Sequence, residues 1–188
     1  MRSQIKELVM VGIGTALIFF AVRCAIFMPE DIWAVLRYIS QAITLTVFFL
    51  GLYEKFLWRH IPFRKTPHIA GEYIGVIKYH YEGNDGEKNS KITISQSLLT
   101  TSVKIETDEI TSNSIMSKLI EEHDEHILYY TYITNPKSKF SKENPVQRGT
   151  CRLVVNAKGE FTGVYWTSRQ QIGDMTLKKG TSVEESHE

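Results

Sequence analysis

The sequence predicts a two-part chain: an N-terminal hairpin of two membrane-spanning α-helices, then an all-β domain of about eight short antiparallel strands. Three observations carry this. Residues 8 to 58 hold nearly all the long apolar runs. From Gly71 onward no segment keeps a helical period, and strand-like runs alternate with turn residues. The composition also divides sharply, with the second part polar and rich in Tyr, Thr, Ser and Lys.

The chain has 188 residues, enough for one ordinary domain and an appendage. Its 22 basic and 21 acidic side chains nearly cancel, so no global field points to DNA or RNA, and neither is expected as a partner. Cys24 and Cys151 lie in unlike segments and do not form a disulfide framework.

Leu8 to Met28, LVMVGIGTALIFFAVRCAIFM, is the first span. At about 1.5 Å per helical residue it reaches roughly 31 Å, the thickness of a bilayer core. Its one charge, Arg23, sits near the distal end, where the long stem can snorkel. Arg2 and Lys6 resemble the start of a signal peptide, but no small-residue cleavage site closes the run, so the helix is read as retained. Pro29, Glu30 and Asp31 break the chain and start a second helix. The second span, 32–57, has Trp33, Tyr38, Tyr53 and Trp58 near its ends as an aromatic belt. Its Ser40, Gln41, Thr44 and Thr46 are either tolerated polar residues or interhelical hydrogen-bonding groups that support oligomerisation. Gly12 and Ala16, four apart, allow close helix contact. Lys55, Arg59, Arg64 and Lys65 follow the second span, while the turn between spans adds no basic residue, so the positive-inside rule puts both termini and the polar half in the cytoplasm. The divisions expected are an anchor over 1–60, a linker over 61–69, a β-domain over 70–180 and a disordered acidic tail over 181–188.

The strand-like runs are GEYIGVIKYHYE, KITISQSL, TTSVKIET, SNSIMSKLIEE, HILYYTYIT, GTCRLVVN, EFTGVYWTSR and DMTLKK. Asn84-Asp85-Gly86 and Lys158-Gly159 are hairpin-turn signals, because such residues tolerate positive φ. Eight short strands with no helix to cover a face form a small barrel or sandwich, and closing the sheet on itself removes its edges most simply. Alternation then sorts the faces. Phe161, Gly163, Tyr165, Thr167 and Arg169 share one face of their strand, and Gly71, Tyr73, Gly75, Ile77 and Tyr79 share one of theirs. Glycines within strands leave room for something to approach. If these faces point inward, tyrosines, threonines and an arginine line a lumen suited to a polar aromatic ligand. The competing reading is structural, with Tyr73 packed under Arg169 as a cation–π plug.

Other signals fail. Gly12-Ile13-Gly14 lies inside an apolar span and lacks the strand–turn–helix setting of a dinucleotide fingerprint. His123 and His126 flank an acidic turn without a third metal ligand at useful spacing. Glu121, Glu122, Asp124 and Glu125 read as a solvated hairpin end. No nucleophile elbow, phosphate loop or Cys–His pairing occurs, so neither enzyme activity nor a metal or other cofactor is expected.

The chain resembles the bacterial two-transmembrane, β-strand-rich effectors encoded beside cyclic-oligonucleotide synthases in CBASS anti-phage systems. The resemblance rests on the helical hairpin, on GEYIG at 71–75, ILYYTYITNPK at 127–137, GTCRL at 149–153 and FTGVYWTSRQQIGDMTL at 161–177. It implies a compact eight-stranded barrel that binds a cyclic dinucleotide from a neighbouring nucleotidyltransferase. It further implies homo-oligomerisation and disruption of the bacterial inner membrane, with the lipid bilayer as the target. Tyr73, Tyr79, Tyr130, Thr131, Tyr165, Thr167 and Arg169 are the ligand-binding residues expected on this basis. The rival functions are a membrane-tethered barrel that binds an apolar ligand and one that binds a partner protein.

Overall fold

The computed structural model describes residues 2–61, 66–81, 84–142 and 144–180. The expected tail at 181–188 and the basic residues Arg64 and Lys65 lie outside the described residues. The chain forms two compact units, one over 1–64 with 97–99 and the other over 65–96 with 100–188.

The first unit is a helical hairpin. Helices α1 (Arg2–Ile26) and α2 (Ile32–Lys55) are followed by a 3-10 turn, Leu57–His60. Asp31 starts α2 by accepting a hydrogen bond from the Ala34 amide at 2.7 Å, which satisfies one of the free donors of the first turn. Gly12 lies against Leu50, where a Cβ would sit 3.1 Å from the leucine methyl, so the small residue does set a close contact. Polar contacts also tie the helices together. The Tyr53 hydroxyl donates to Glu7 at 2.6 Å, and Arg23 Nε donates to Gln41 Oε1 at 3.1 Å. The Arg23 guanidinium also lies over the rings of Phe27 and Tyr38. Arg23, expected to snorkel, is thus held by the second helix. Tyr53, Trp58 and Leu98 bury one another at the base of the unit. The outward faces, including Met10, Leu17, Ile18, Trp33, Val47 and Phe48, are exposed and apolar. Both helices are long and apolar enough to cross a membrane, with mean hydropathy 2.2 and 1.6.

The second unit is a closed barrel of eight antiparallel strands in sequence order. The strands are β1 (Gly71–Tyr81), β2 (Asn84–Gln96), β3 (Thr101–Glu106), β4 (Ile110–Glu122), β5 (Glu125–Pro136), β6 (Arg148–Val155), β7 (Phe161–Thr167) and β8 (Ile172–Lys179). Pairing of β1 with β8, from Tyr73↔Lys179 to His80↔Ile172, closes the ring. Closure rather than a sandwich follows from the short hairpins, which leave each strand beside its sequence neighbour. At His123-Asp124 both residues have positive φ, 52° and 62°, the geometry of a two-residue hairpin turn between β4 and β5. Between β6 and β7, Gly159 has φ 75° and Asn156 Oδ1 accepts from the amides of Lys158 and Glu160. The Asn84-Asp85-Gly86 signal is corrected: these residues belong to β2 and pair with Tyr81, His80 and Tyr79 of β1, so they do not form a turn.

One end of the barrel is filled. Phe161, Leu177, Leu153, Leu128 and Ile94 are buried there, and Tyr73 closes the layer edge-on against Phe161, with centroids 5.2 Å apart and planes at 89°. The Tyr73 hydroxyl donates to the carbonyl of Ile69, a residue of the 61–69 segment that is itself buried in the core. The other end holds tyrosines and hydroxyls instead, and it is open.

Candidate functional site

The open end encloses a cavity of about 280 Å³. Its floor is Ile77, Ile105 and Met175, and its walls carry the rings of Tyr79, Tyr132 and Tyr165. Each ring lies on a glycine of a neighbouring strand. A Cβ on Gly86 would run into Tyr79, one on Gly149 into Tyr132, and one on Gly173 into Tyr165. Cross-strand register makes these pairs: Tyr79↔Gly86, Tyr132↔Gly149 and Tyr165↔Gly173. What approaches these glycines is therefore aromatic side chains of the barrel itself. Gly75, by contrast, makes room for Ile92 and Ser90.

Hydroxyls and charges crown the aromatic layer. Ser112, Thr134 and Thr167 are buried at the cavity wall. Lys88 Nζ stands 5.7 Å from the Tyr79 ring centroid and makes a 2.7 Å ion pair with Glu109. Asn144, from the long β5–β6 connection, donates to the same Glu109 oxygen at 2.7 Å. Arg169 lines the mouth from the turn after β7. That turn is built by Thr167, whose amide donates to the Gln171 carbonyl and whose hydroxyl accepts from the Arg169 amide.

Burial raises the pKa values of the interior tyrosines and of the Cys151 thiol, making each a weaker acid. Burial, then the neighbouring Cys151, Tyr79 and Asp174, pushes Tyr165 up to about 12, and burial pushes the Cys151 thiol up to about 12. Tyr132 and Tyr130 are also raised, again first by burial. The phenols consequently remain hydrogen-bond donors across neutral pH. A ring face, a neutral hydroxyl and an exposed cation together can stack an aromatic ligand and meet its negative charge.

The residues read from the sequence divide accordingly. Tyr79, Tyr165, Thr167 and Arg169 come together around the cavity. Arg169 does so from a turn, since β7 ends at Thr167 and does not carry Arg169 on its inner face. Tyr73 faces inward at the filled end, six residues or roughly 20 Å along β1 from Tyr79. A Tyr73–Arg169 plug is therefore out of reach, and Phe161 takes the place assigned to the arginine. Tyr130 lies below the cavity, its hydroxyl 3.5 Å from the sulfur of Met175. Thr131 is exposed on the outer face. Adjacent strand residues point to opposite faces, so Tyr130 and Thr131 cannot both turn inward. The same parity would have selected Tyr132. Lys88, Glu109, Asn144 and Gln147 had no comparable signal, because each stands in a polar stretch and joins the site only through barrel closure.

The fold and site define a class: a small closed barrel, open at one end onto a pocket of aromatic rings, hydroxyls and cations, in a chain that begins with an apolar helical hairpin. The family model described as "Cap15, cyclic dinucleotide receptor domain" matches residues 64–179. The chain is also 41% identical over 184 residues to "CD-NTase-associated protein 15" of Staphylococcus schleiferi, across 95% of this chain and 99% of that protein. This chain belongs to the Cap15 cyclic dinucleotide receptor family.

Proposed function

We propose that the chain is a membrane-anchored effector of bacterial anti-phage defence whose barrel binds a cyclic dinucleotide made by a neighbouring nucleotidyltransferase. The observation that carries this reading is the tyrosine- and hydroxyl-lined cavity with Arg169 and Lys88 at its open end. Base stacking on an aromatic side chain contributes about 1–3 kcal/mol. Two phosphates require cations or strong donors, which the mouth provides. The volume of about 280 Å³ lies near the lower limit for small-molecule pockets, roughly 300 Å³. One base enters between Tyr79, Tyr132 and Tyr165, while the phosphates stay at the mouth beside Arg169 and Lys88. Tyr73 and Tyr130 support the layer beneath, and Thr131 makes no contact.

In this reading residues 1–60 anchor the protein in the bacterial inner membrane, with both termini and the barrel in the cytoplasm. Residues 61–69 link the anchor to the receptor, 70–180. The receptor acts without catalysis. Ligand binding raises the association of barrels, and the short linker converts this into a high effective concentration of hairpins. For a two-state assembly, a shift from mostly off to mostly on needs a total differential affinity of about 10⁴-fold. Several protomers share that total. Assembled hairpins then disrupt the bilayer.

The test is titration of the full-length protein in detergent with a panel of cyclic dinucleotides, followed by dye release from proteoliposomes. Binding accompanied by assembly and leakage is the expected result. Absence of binding by every member would refute the receptor reading. Binding without assembly would refute the coupling.

A further inference from the structure

Two hydrogen-bond acceptors at the cavity have no role in holding phosphate. Gln147 lines it, and its Oε1 is buried with no hydrogen-bond partner among the described residues. Its backbone cannot drift, because the Gln147 amide donates to Thr134 Oγ1 at 2.9 Å and its carbonyl accepts from the Thr134 amide at 2.9 Å. A buried acceptor without a donor is a standing penalty, relieved when the side chain turns toward one. Glu109 is the second acceptor. Lys88 and Asn144 both donate to one of its oxygens, and a carboxylate has about four acceptor positions. Asn144 lies three residues before Gln147 on the same connection, so it ties Glu109 to the segment that carries the amide.

We propose that Gln147 and Glu109 read the edge of the bound base and select bases that turn an exocyclic amine toward them over bases that turn a carbonyl there. This rests on the cyclic dinucleotide reading above. An amine meets Gln147 Oε1 as a donor, while the glutamine Nε2 can donate to a ring nitrogen beside it, the two-bond pattern by which glutamine recognises adenine. The carboxylate enforces the choice. It has no hydrogen to offer, so a uracil or hypoxanthine carbonyl turned toward it meets repulsion and leaves buried groups unpaired. Arg169 and Lys88 contribute no such discrimination, since every cyclic dinucleotide carries the same phosphates.

The test compares ligands whose bases differ in the exocyclic amine and in the adjoining ring nitrogen, which gains a hydrogen when a carbonyl replaces the amine. Full-length protein in detergent is titrated with cyclic di-AMP, cyclic di-CMP and mixed cyclic AMP–GMP, each against the analogue with hypoxanthine or uracil at the amino-bearing positions, in matched linkages. The tightest amino-bearing ligand should bind at least about tenfold better than its carbonyl analogue. Gln147→Met should remove most of that preference by weakening the amino-bearing ligand while leaving the analogue's affinity unchanged. A purely structural role for Gln147 would weaken both ligands alike, and that result overturns the inference. Equal binding of the paired ligands by the parent protein also overturns it, and leaves the receptor reading intact. If no member of the panel binds, the receptor reading itself fails and this inference falls with it. The ligand pairs need no variant, so a misfolded Gln147→Met protein would not shield the proposal; Glu109→Gln then supplies the second perturbation, with reduced preference expected.

Discussion

Arg169→Ala separates a ligand contact from a structural one. The side chain is exposed on the turn after β7 and lines the cavity mouth, while the filled end is closed by Tyr73 against Phe161. Removing an exposed side chain typically changes stability by about 0.5 kcal/mol, far less than removing a core side chain. Hydrogen bonds to a charged group contribute about 1.5–3 kcal/mol, so the dissociation constant should rise roughly 10- to 150-fold. Arg169→Lys keeps the charge and loses the planar fork, so its affinity should fall between parent and alanine variant. The assay is calorimetric titration of full-length protein in detergent with the tightest-binding cyclic dinucleotide, beside a thermal melt of each variant. Affinity should also fall with added salt, because the mouth is open to solvent and its charges are screened. An alanine variant that melts well below the parent yet binds within about twofold of it would refute the reasoning and restore a structural role for Arg169.

Three further outcomes follow from the same geometry. Gly149→Ala places a methyl group against the Tyr132 ring, so it should destabilise the barrel by about 1–3 kcal/mol and weaken ligand binding; a parent-like melt and affinity would show that Tyr132 is not held there. Cys151 and Tyr165 bind their protons more tightly folded than their ordinary values of 9.0 and 10.0, each up to about 12. Their contribution is therefore complete below about pH 9 and is lost as pH rises from about 9 to 12, so the melting temperature should fall across that window, and a flat profile to pH 11 would contradict their burial. Gln41→Leu removes the acceptor for Arg23 between the helices, a bond of about 0.6–2 kcal/mol. It should leave ligand affinity unchanged and reduce killing in cells that make the nucleotide, and undiminished killing at equal expression would exclude that contact from assembly.

Much of the chain was legible in one dimension because its two halves use different solvents. An apolar run long enough for a bilayer needs no partner to declare itself, and Asp31 caps the second helix through residues three apart. Strand alternation was equally local: the inward parity of Phe161, Gly163, Tyr165 and Thr167 holds in the folded barrel. Where each strand stops was not local. Arg169 continues the parity of β7 on paper, but the Thr167–Gln171 turn removes it from the sheet. Register was hidden as well. Tyr73 and Tyr79 share a face, yet only the β1–β8 pairing shows that one lies at the filled end and the other, opposite Gly173, at the open one. The Asn84-Asp85-Gly86 signal failed because Gly86 is needed under the Tyr79 ring, a packing demand that outweighs local turn preference. Lys88, Glu109, Asn144 and Gln147 come from β2, the β3–β4 turn and the β5–β6 connection. Nothing in their spacing unites them. The apolar hairpin, the all-β class and the facing of most strands follow from the order of residues alone, because they depend on length, composition and a period of two. Which end is filled, and which polar residues meet at the other, emerges with the closed barrel, because closing a sheet sets side chains from distant strands side by side through hydrogen-bond register.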